Sequence, residues 1–312
     1  MNARYPAPAL CAFASQLLRR AGLADDRADD VAAILVEGDL MGHTTHGLQL
    51  LGPYLQSIKD GTMTSAGQPK VVADRGAALT WDGDFLPGPW LVLRAMGVAF
   101  ARLPEHPVVT VAIRRSHHIG CLAAYLKRAT DRGYAMLLLC SDPSVASVAP
   151  FGAIGARYTP NPLAFGYPTG GAPVLIDISA STTTNGLVGR LNRAGTGERL
   201  PGPWLVDNKG GATDDPAALL ADPPGAILPL GGMDLGHKGF GLGLLVEALT
   251  SALAGYGRAD GERKWGASVF LQFIDPAAFG GREAFVRETG WLADACRTAP
   301  VKTGVPPVRM PC

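Results

Sequence analysis

Apolar positions recur along this chain with two periods. In residues 8–21, Leu10, Phe13, Leu17 and Leu18 share one helical face, which predicts a short amphipathic helix. Residues 25–40 repeat the pattern with Val31, Ile34, Leu35 and Val36, behind an acidic start that suits a helix N-terminus. Residues 46–58 carry Leu50, Leu51, Tyr54, Leu55 and Ile58 on one helical face. Residues 62–88 are turn-rich, with a strand pair expected around Val71-Val72 and 78–81. Residues 89–103 read as a helix that opens on proline.

The period changes near Pro107. Residues 108–113 and 135–140 are continuous apolar runs, expected as buried strands. Between them a helix is predicted over 121–132, ending at Gly133. Strand, loop, helix, strand is the pattern of a parallel crossover, and ligands gather at the loop after such a strand. That loop holds His117, His118 and Gly120. A strand over 174–178 ends in Asp177-Ile178-Ser179-Ala180-Ser181, where an acid and two hydroxyls can bind ribose hydroxyls or simply turn the chain. A short strand over 226–230 precedes Gly231-Gly232. The glycines near 239–241 are expected to open a long helix with Leu242, Leu245, Val246 and Leu249 inward, and Lys238 stands before it as an anion contact or a solvated side chain. Residues 269–274 and 281–297 read as a last strand and helix. Neither G-x-G-x-x-G nor a P-loop follows a strand, so a dinucleotide site must be built differently.

The central stretch is Gly42-His43-Thr44-Thr45-His46-Gly47. Gly42 can end one helix and Thr44 or Thr45 can cap the next, placing His46 in a first helical turn, where the dipole disfavours the imidazolium. A neutral histidine beside a hydroxyl suits proton transfer near neutral pH; a capping turn with incidental histidines is the plainer alternative.

Composition removes several classes. The 312 residues carry 28 Lys plus Arg against 27 Asp plus Glu, a net charge of +1, so no nucleic-acid or membrane surface is expected. The five cysteines lack metal or framework spacing, which points to a reducing compartment and no metal. No long apolar run precedes Arg19-Arg20, so no signal peptide is expected. The most apolar run, residues 239–253, is interrupted by Glu247 and is too short for a bilayer.

Taken in order, several stretches resemble the malate/L-lactate dehydrogenase family of non-Rossmann type, which includes ureidoglycolate, sulfolactate and Δ1-piperideine-2-carboxylate enzymes. They are Thr45-His46-Gly47, Ser116-x-His118-x-Gly120, Asn161-Pro162 and Asp177-Ile178-Ser179-Ala180-Ser181. Residues 201–216 with Trp204, Asp207, Gly210 and Thr213-Asp214-Asp215-Pro216 follow, then Leu230-Gly231-Gly232 through Leu242 with Glu247. The resemblance implies an α/β fold: a mixed sheet with flanking helices, sulfolactate-dehydrogenase-like, plus a smaller, mostly helical subdomain. It implies a substrate subdomain over 1–105, a cofactor domain over 106–295, and a segment, 296–312, returning to the first. It implies a cytoplasmic homodimer that moves hydride between NADH or NADPH and a C=O or C=N group of a small substrate. His46 would then give or take the proton and Thr45 orient it. His118, Gly120, Cys121, Asn161, Asp177, Ile178, Ser179, Leu230, Gly231, Gly232 and Lys238 would meet the cofactor, with Leu50 and Ser116 on the substrate side.

The departures are specific. Leu50 and Met41 stand where the family usually has arginines, the first of which clamps a substrate carboxylate. Leu187 stands where some members carry an acid or a lysine. Pro160 replaces a threonine, and the sequence runs to Arg309-Met310-Pro311-Cys312 where the family continues into a final helix. Leucine cannot pair with a carboxylate. The substrate is therefore expected to be larger, less anionic or an imine, unless Arg114 or Arg115 takes over the clamp. A non-catalytic ligand-binding relative and a metallohydrolase using His43, His46, His117 and His118 are the alternatives.

Overall fold

The computed structural model describes residues 4–261 and 264–311. The chain begins with two packed helices, α1 (Ala7–Arg20) and α2 (Asp25–Leu40). Two 3-10 turns, Thr44–His46 and Leu48–Leu50, lead into α3 (Leu51–Lys59). These helices close a core of Leu18, Val31, Leu35, Tyr54 and Met63. On α1 the face differs from expectation: Ala14, Ser15 and Leu18 are buried, while Phe13 is 58% exposed.

A hairpin of β1 (Lys70–Asp74) and β2 (Ala78–Asp82) follows, then α4 (Gly88–Arg102) and β3 (Val108–Ser116). Next come α5 (Ala123–Thr130), β4 (Ala135–Ser141), β5 (Pro162–Tyr167), β6 (Val174–Ser179) and α6 (Asn185–Ala194). Three two-residue strands, β7 (Leu205–Val206), β8 (Ala212–Thr213) and β9 (Ala226–Ile227), form a small sheet. The chain continues through α7 (Gly232–Glu247), β10 (Ala267–Ile274) and α8 (Arg282–Arg297).

The large sheet is mixed, with seven strands in the order β1-β2-β3-β10-β4-β5-β6. β3 and β4 run the same way, as a crossover requires, but β10 lies between them, antiparallel to both. The main core fills the space under α4 and α5, from Trp81, Trp90 and Met96 to Tyr125, Leu138 and Phe273. The sheet crosses the boundary expected at residue 105, because β2 pairs with β3. At the other end Leu175 N–H donates to Pro311 O (2.8 Å), so the last described residue lies beside β6.

Four elements depart from the sequence reading. The helix expected from residue 46 begins at Leu51. Non-helical backbone at Gly47 (φ −97°, ψ −143°) interrupts it, and the Asp39 carboxylate sits where a Gly47 Cβ would be and accepts Leu48 N–H (2.9 Å). α7 begins at Gly232, so Gly239 and Gly241 lie within it. Its buried face is Gly236, Gly239, Gly243 and Val246, while Leu245 is 50% exposed. α6 and β5 were not anticipated; Thr184 caps α6 through Leu187 N–H (3.2 Å). Among the described residues, no helix is long and apolar enough to cross a membrane.

Candidate active site

His46 closes the first 3-10 turn after α2. Its Nδ1 lies 2.9 Å from Thr45 Oγ1, in hydrogen-bond range. Burial lowers its pKa below the ordinary value; the Asp177 carboxylate opposes this and His43 adds to it. The helix-dipole cause expected from sequence does not apply, because His46 is outside α3. Neither Thr44 nor Thr45 caps that helix, since Leu50 holds the N-cap position without a side-chain bond. Across the gap, α6 closes on the same turn: a Cβ at Gly186 would stand 3.1 Å from Thr45 Cβ.

The loop after β3 brings His118 beside His46, with ring centroids 5.8 Å apart and nearly parallel. Gly120 N–H donates to His118 Nδ1 (3.2 Å), and Tyr54 Oη lies 2.8 Å from that nitrogen and 3.0 Å from His118 O. A nitrogen that receives an N–H bond carries a lone pair, so the His118 proton sits on Nε2. Burial holds this ring neutral, with its pKa well below the ordinary value. Trp265 stacks over it at 5.0 Å. His117 is fully buried, edge-on to Tyr54 and Trp265, and neither ring nitrogen has a hydrogen-bond partner among the described residues; burial pushes its pKa down to about 3.

Asp177, near the end of β6, turns Oδ2 to Ala123 N–H at the start of α5 (2.8 Å) and to the Cys121 thiol (3.7 Å). Burial and this carboxylate push the Cys121 thiol up to about 12. The chain then links this strand end to the glycine loop. Leu230 N–H donates to Ala180 O (2.9 Å) and Thr182 N–H to Leu228 O (2.9 Å). Gly231 (φ 98°) and Gly232 (φ 64°) form the left-handed entry to α7, a conformation suited to glycine. Thus His46, Thr45, His118, Gly120, Cys121 and Asp177 are brought together, and Leu230, Gly231 and Gly232 adjoin them through residue 180. Ile178 and Leu230 are 42% and 39% exposed, offering apolar surface beside the polar groups. Ser179 Oγ is turned to Ser181 O (3.0 Å).

Four expected residues stand elsewhere. Asn161 has no exposed surface; it binds Thr159 (2.7 Å), Gly243 O (3.0 Å) and Glu247 (3.0 Å), in a knot that Arg258 completes through Glu247 (2.7 Å). Ser116 is fully buried with its hydroxyl on His117 O (2.7 Å). Leu50 packs against the core of the first helices, and Lys238 lies exposed on α7. Arg114 and Arg115 both pair with Asp82, at 3.1 and 2.8 Å, which offsets part of the charge either could offer a substrate.

Sequence reasoning missed Tyr54 and Trp265. A periodic pattern marks Tyr54 as core and says nothing of where its hydroxyl points. It also missed that His43, Cys121 and Asp177 converge, with one ligand atom of each within 4.8 Å of the others. Among the described residues this is the group of three potential ligands that gathers; the four histidines considered for a metallohydrolase do not form one.

A family model described as malate/L-lactate dehydrogenase matches residues 5–312. The L-lactate dehydrogenase of Cupriavidus necator is 34% identical over 280 residues, spanning 84% of this chain and 77% of that protein. The Δ1-pyrroline-2-carboxylate reductase of Ancylobacter novellus is 31% identical over 301 residues, 93% of this chain and 84% of its own. Among solved structures, the Δ1-piperideine-2-carboxylate reductase of Pseudomonas syringae pvar. tomato superposes with a TM-score of 0.85 at 26% identity, covering 99% of this chain and 91% of that one. The sulfolactate dehydrogenase of Methanocaldococcus jannaschii gives 0.85 at 26%, covering 98% and 87%. The chain belongs to the malate/L-lactate dehydrogenase family and is an oxidoreductase.

Proposed function

We propose that the protein reduces a C=O or C=N group of a small substrate with NADH or NADPH, or runs the reverse oxidation, with His46 exchanging the proton. The observation that carries this reading is the setting of His46: a desolvated imidazole, a hydroxyl on Nδ1, a carboxylate charge nearby and the His118 ring alongside.

The residues present fit a dinucleotide. α7 opens on Gly231-Gly232 with no side-chain cap, and the space where a Gly232 Cβ would stand is open, so helix N–H groups can meet a phosphate. Exposed Ile178 and Leu230 provide flat apolar contact, and His118 Nε2–H provides a donor. These residues would hold the cofactor, which supplies or accepts the hydride. Thr45 fixes the His46 ring through Nδ1, leaving Nε2 to hold the mobile proton. Asp177 favours the charged ring and burial the neutral one. Two opposing influences keep both protonation states within reach, as a group that donates and recovers a proton needs.

The substrate follows from which cations are free. Leu50 cannot pair with a carboxylate, and Arg114 and Arg115 are held by Asp82. A buried, unpaired carboxylate costs several kcal/mol, so a weakly anionic carbonyl or imine compound fits better than a substrate that brings a carboxylate to this site. The names of two reductase relatives support C=N as the group reduced; the carboxylate in both names does not bear out a weakly anionic substrate. The exposed apolar side chains Met233, Leu244 and Leu245 on α7 support a homodimer.

His46→Ala tests the reading. Turnover falls about 10²- to 10⁴-fold while cofactor affinity, followed by NADH and NADPH fluorescence, stays within a few-fold. Loss of an arginine clamp equally favours a relative that binds without turning over. In that case the wild-type protein binds dinucleotide and shows no turnover for the substitution to remove.

A further inference from the structure

We propose that His43, Cys121 and Asp177 form a binding site for a zinc-like divalent cation, and that its occupation blocks proton exchange at His46. The second half rests on the function proposed above; the first does not.

The donor set is a nitrogen, a sulfur and an oxygen whose ligand atoms lie within 4.8 Å of one another. Tetrahedral zinc, with bonds of about 2.0–2.3 Å, needs such atoms about 3.5 Å apart, so the group must contract by little more than an ångström. The atoms are available. The His43 ring makes no hydrogen bond among the described residues. Asp177 spends Oδ2 on Ala123 N–H and Cys121, and Oδ1 accepts no hydrogen bond among the described residues. The thiol's side-chain partner is that carboxylate, and burial with the carboxylate keeps the sulfur protonated until an ion takes the proton's place. Binding exchanges the Cys121 S–H bond for a metal–thiolate bond and releases one proton to solvent. Mixed thiolate, imidazole and carboxylate donors select zinc and its analogue cobalt over magnesium or calcium. Three protein ligands leave a fourth position for water.

The position gives the ion its effect. Asp177 and His43 are the two charged or chargeable groups that act on the His46 equilibrium. A dication on both would cancel the carboxylate's support for the imidazolium and repel that charge directly.

Cobalt(II) titration of the purified, metal-free chain tests the site without reference to turnover. One equivalent binds, and a thiolate-to-cobalt charge-transfer band grows in the near ultraviolet. Cys121→Ser abolishes the band, and His43→Gln weakens binding about tenfold or more, with thermal unfolding confirming that both variants are folded. Absence of stoichiometric binding, or a band that survives in Cys121→Ser, overturns the site. The second arm compares each protein with itself, with and without zinc. Wild type loses most of its turnover and regains it with EDTA, while the zinc-dependent loss shrinks at least tenfold in Cys121→Ser. Equal inhibition of the two overturns the blocking role and leaves the cobalt result to judge the site.

Discussion

Two glycines in one helix should respond oppositely to the same substitution. A Cβ at Gly239 would stand 2.2 Å from Leu230 N and 2.5 Å from Leu230 O, both backbone atoms, whereas at Gly241 it meets nothing within 4 Å. To reach an ordinary 3.4 Å contact, the Leu230 backbone must retreat by about 1.2 Å. That retreat breaks the Gly239 N–H to Leu230 O bond, now 3.1 Å, and drags Gly231 with it. Overpacking costs about 1–3 kcal/mol and the orphaned carbonyl about 1–3 more, offset by about 1 kcal/mol of helix propensity. Gly239→Ala should therefore lose about 1–5 kcal/mol and several degrees of Tm. The shifted loop should weaken NADH or NADPH binding at least tenfold, since displacements near 1 Å cost up to 10²-fold in positioned sites. Gly241→Ala should gain up to about 1 kcal/mol and leave cofactor affinity unchanged. Thermal unfolding and fluorescence titration of the two variants side by side decide it. Equal behaviour, or a Gly239→Ala protein with wild-type cofactor affinity, would refute the placement of the Leu230–Gly232 loop at the cofactor site.

Reduction needs the His46 imidazolium, whose pKa burial lowers. kcat/KM for reduction should therefore fall as pH rises through a value below 6.5, while oxidation rises over the same window; Asp177→Asn moves the limb to lower pH, and a limb above 6.5 contradicts the account. Leu50→Arg should raise kcat/KM for the carboxylates pyruvate, oxaloacetate and Δ1-piperideine-2-carboxylate alike by about tenfold or more, and a wild-type enzyme already efficient on these three sinks the substrate argument. Leu244→Glu with Leu245→Glu should convert a dimer to monomer in analytical ultracentrifugation, and an unchanged sedimentation coefficient removes α7 from the interface. Burial, then Asp26 and Asp29, raise the Asp30 pKa to about 6, so its ionised form strains the fold at neutral pH. Asp30→Asn should stabilise by roughly 1 kcal/mol at pH 7, a gain that shrinks as pH falls from 6 and is gone below about 4; a constant gain across that range argues for another cause.

What the sequence made legible tracks how local the physics is. α1, α2, α4, β3 and β4 were readable because each buries an apolar stripe of its own period. α7 was misread because its buried face is glycine and its leucines face out: close approach of Gly239 to Leu230 and Gly243 to Tyr158 sets the packing, and no hydrophobic count reports it. β5 was hidden by its opening proline and internal glycine, and the place of β10 between β3 and β4 is a pairing across more than a hundred residues. His46 and His118 were legible as motif positions, whereas the convergence of residues 43, 121 and 177 depends on three separate elements meeting.

The position of His46 outside α3 decides how the site is tuned. A helix dipole would have acted on the imidazole through the α3 backbone, whatever covered the ring. Burial acts through the cover itself, so the control lies in what closes over residues 45 and 46. One such contact is the first turn of α6, where Gly186 stands against Thr45 and a Cβ would press to 3.1 Å. A side chain there moves either Thr45, and with it the Nδ1 bond, or α6, admitting water to the ring. Water entry restores the hydration of the imidazolium and lifts the His46 pKa toward its ordinary value. Gly186→Ala should therefore shift the pH limb of reduction upward while substitutions on the exposed face of α3 leave it in place. The reverse pattern would return the dipole to the account and take α6 out of it.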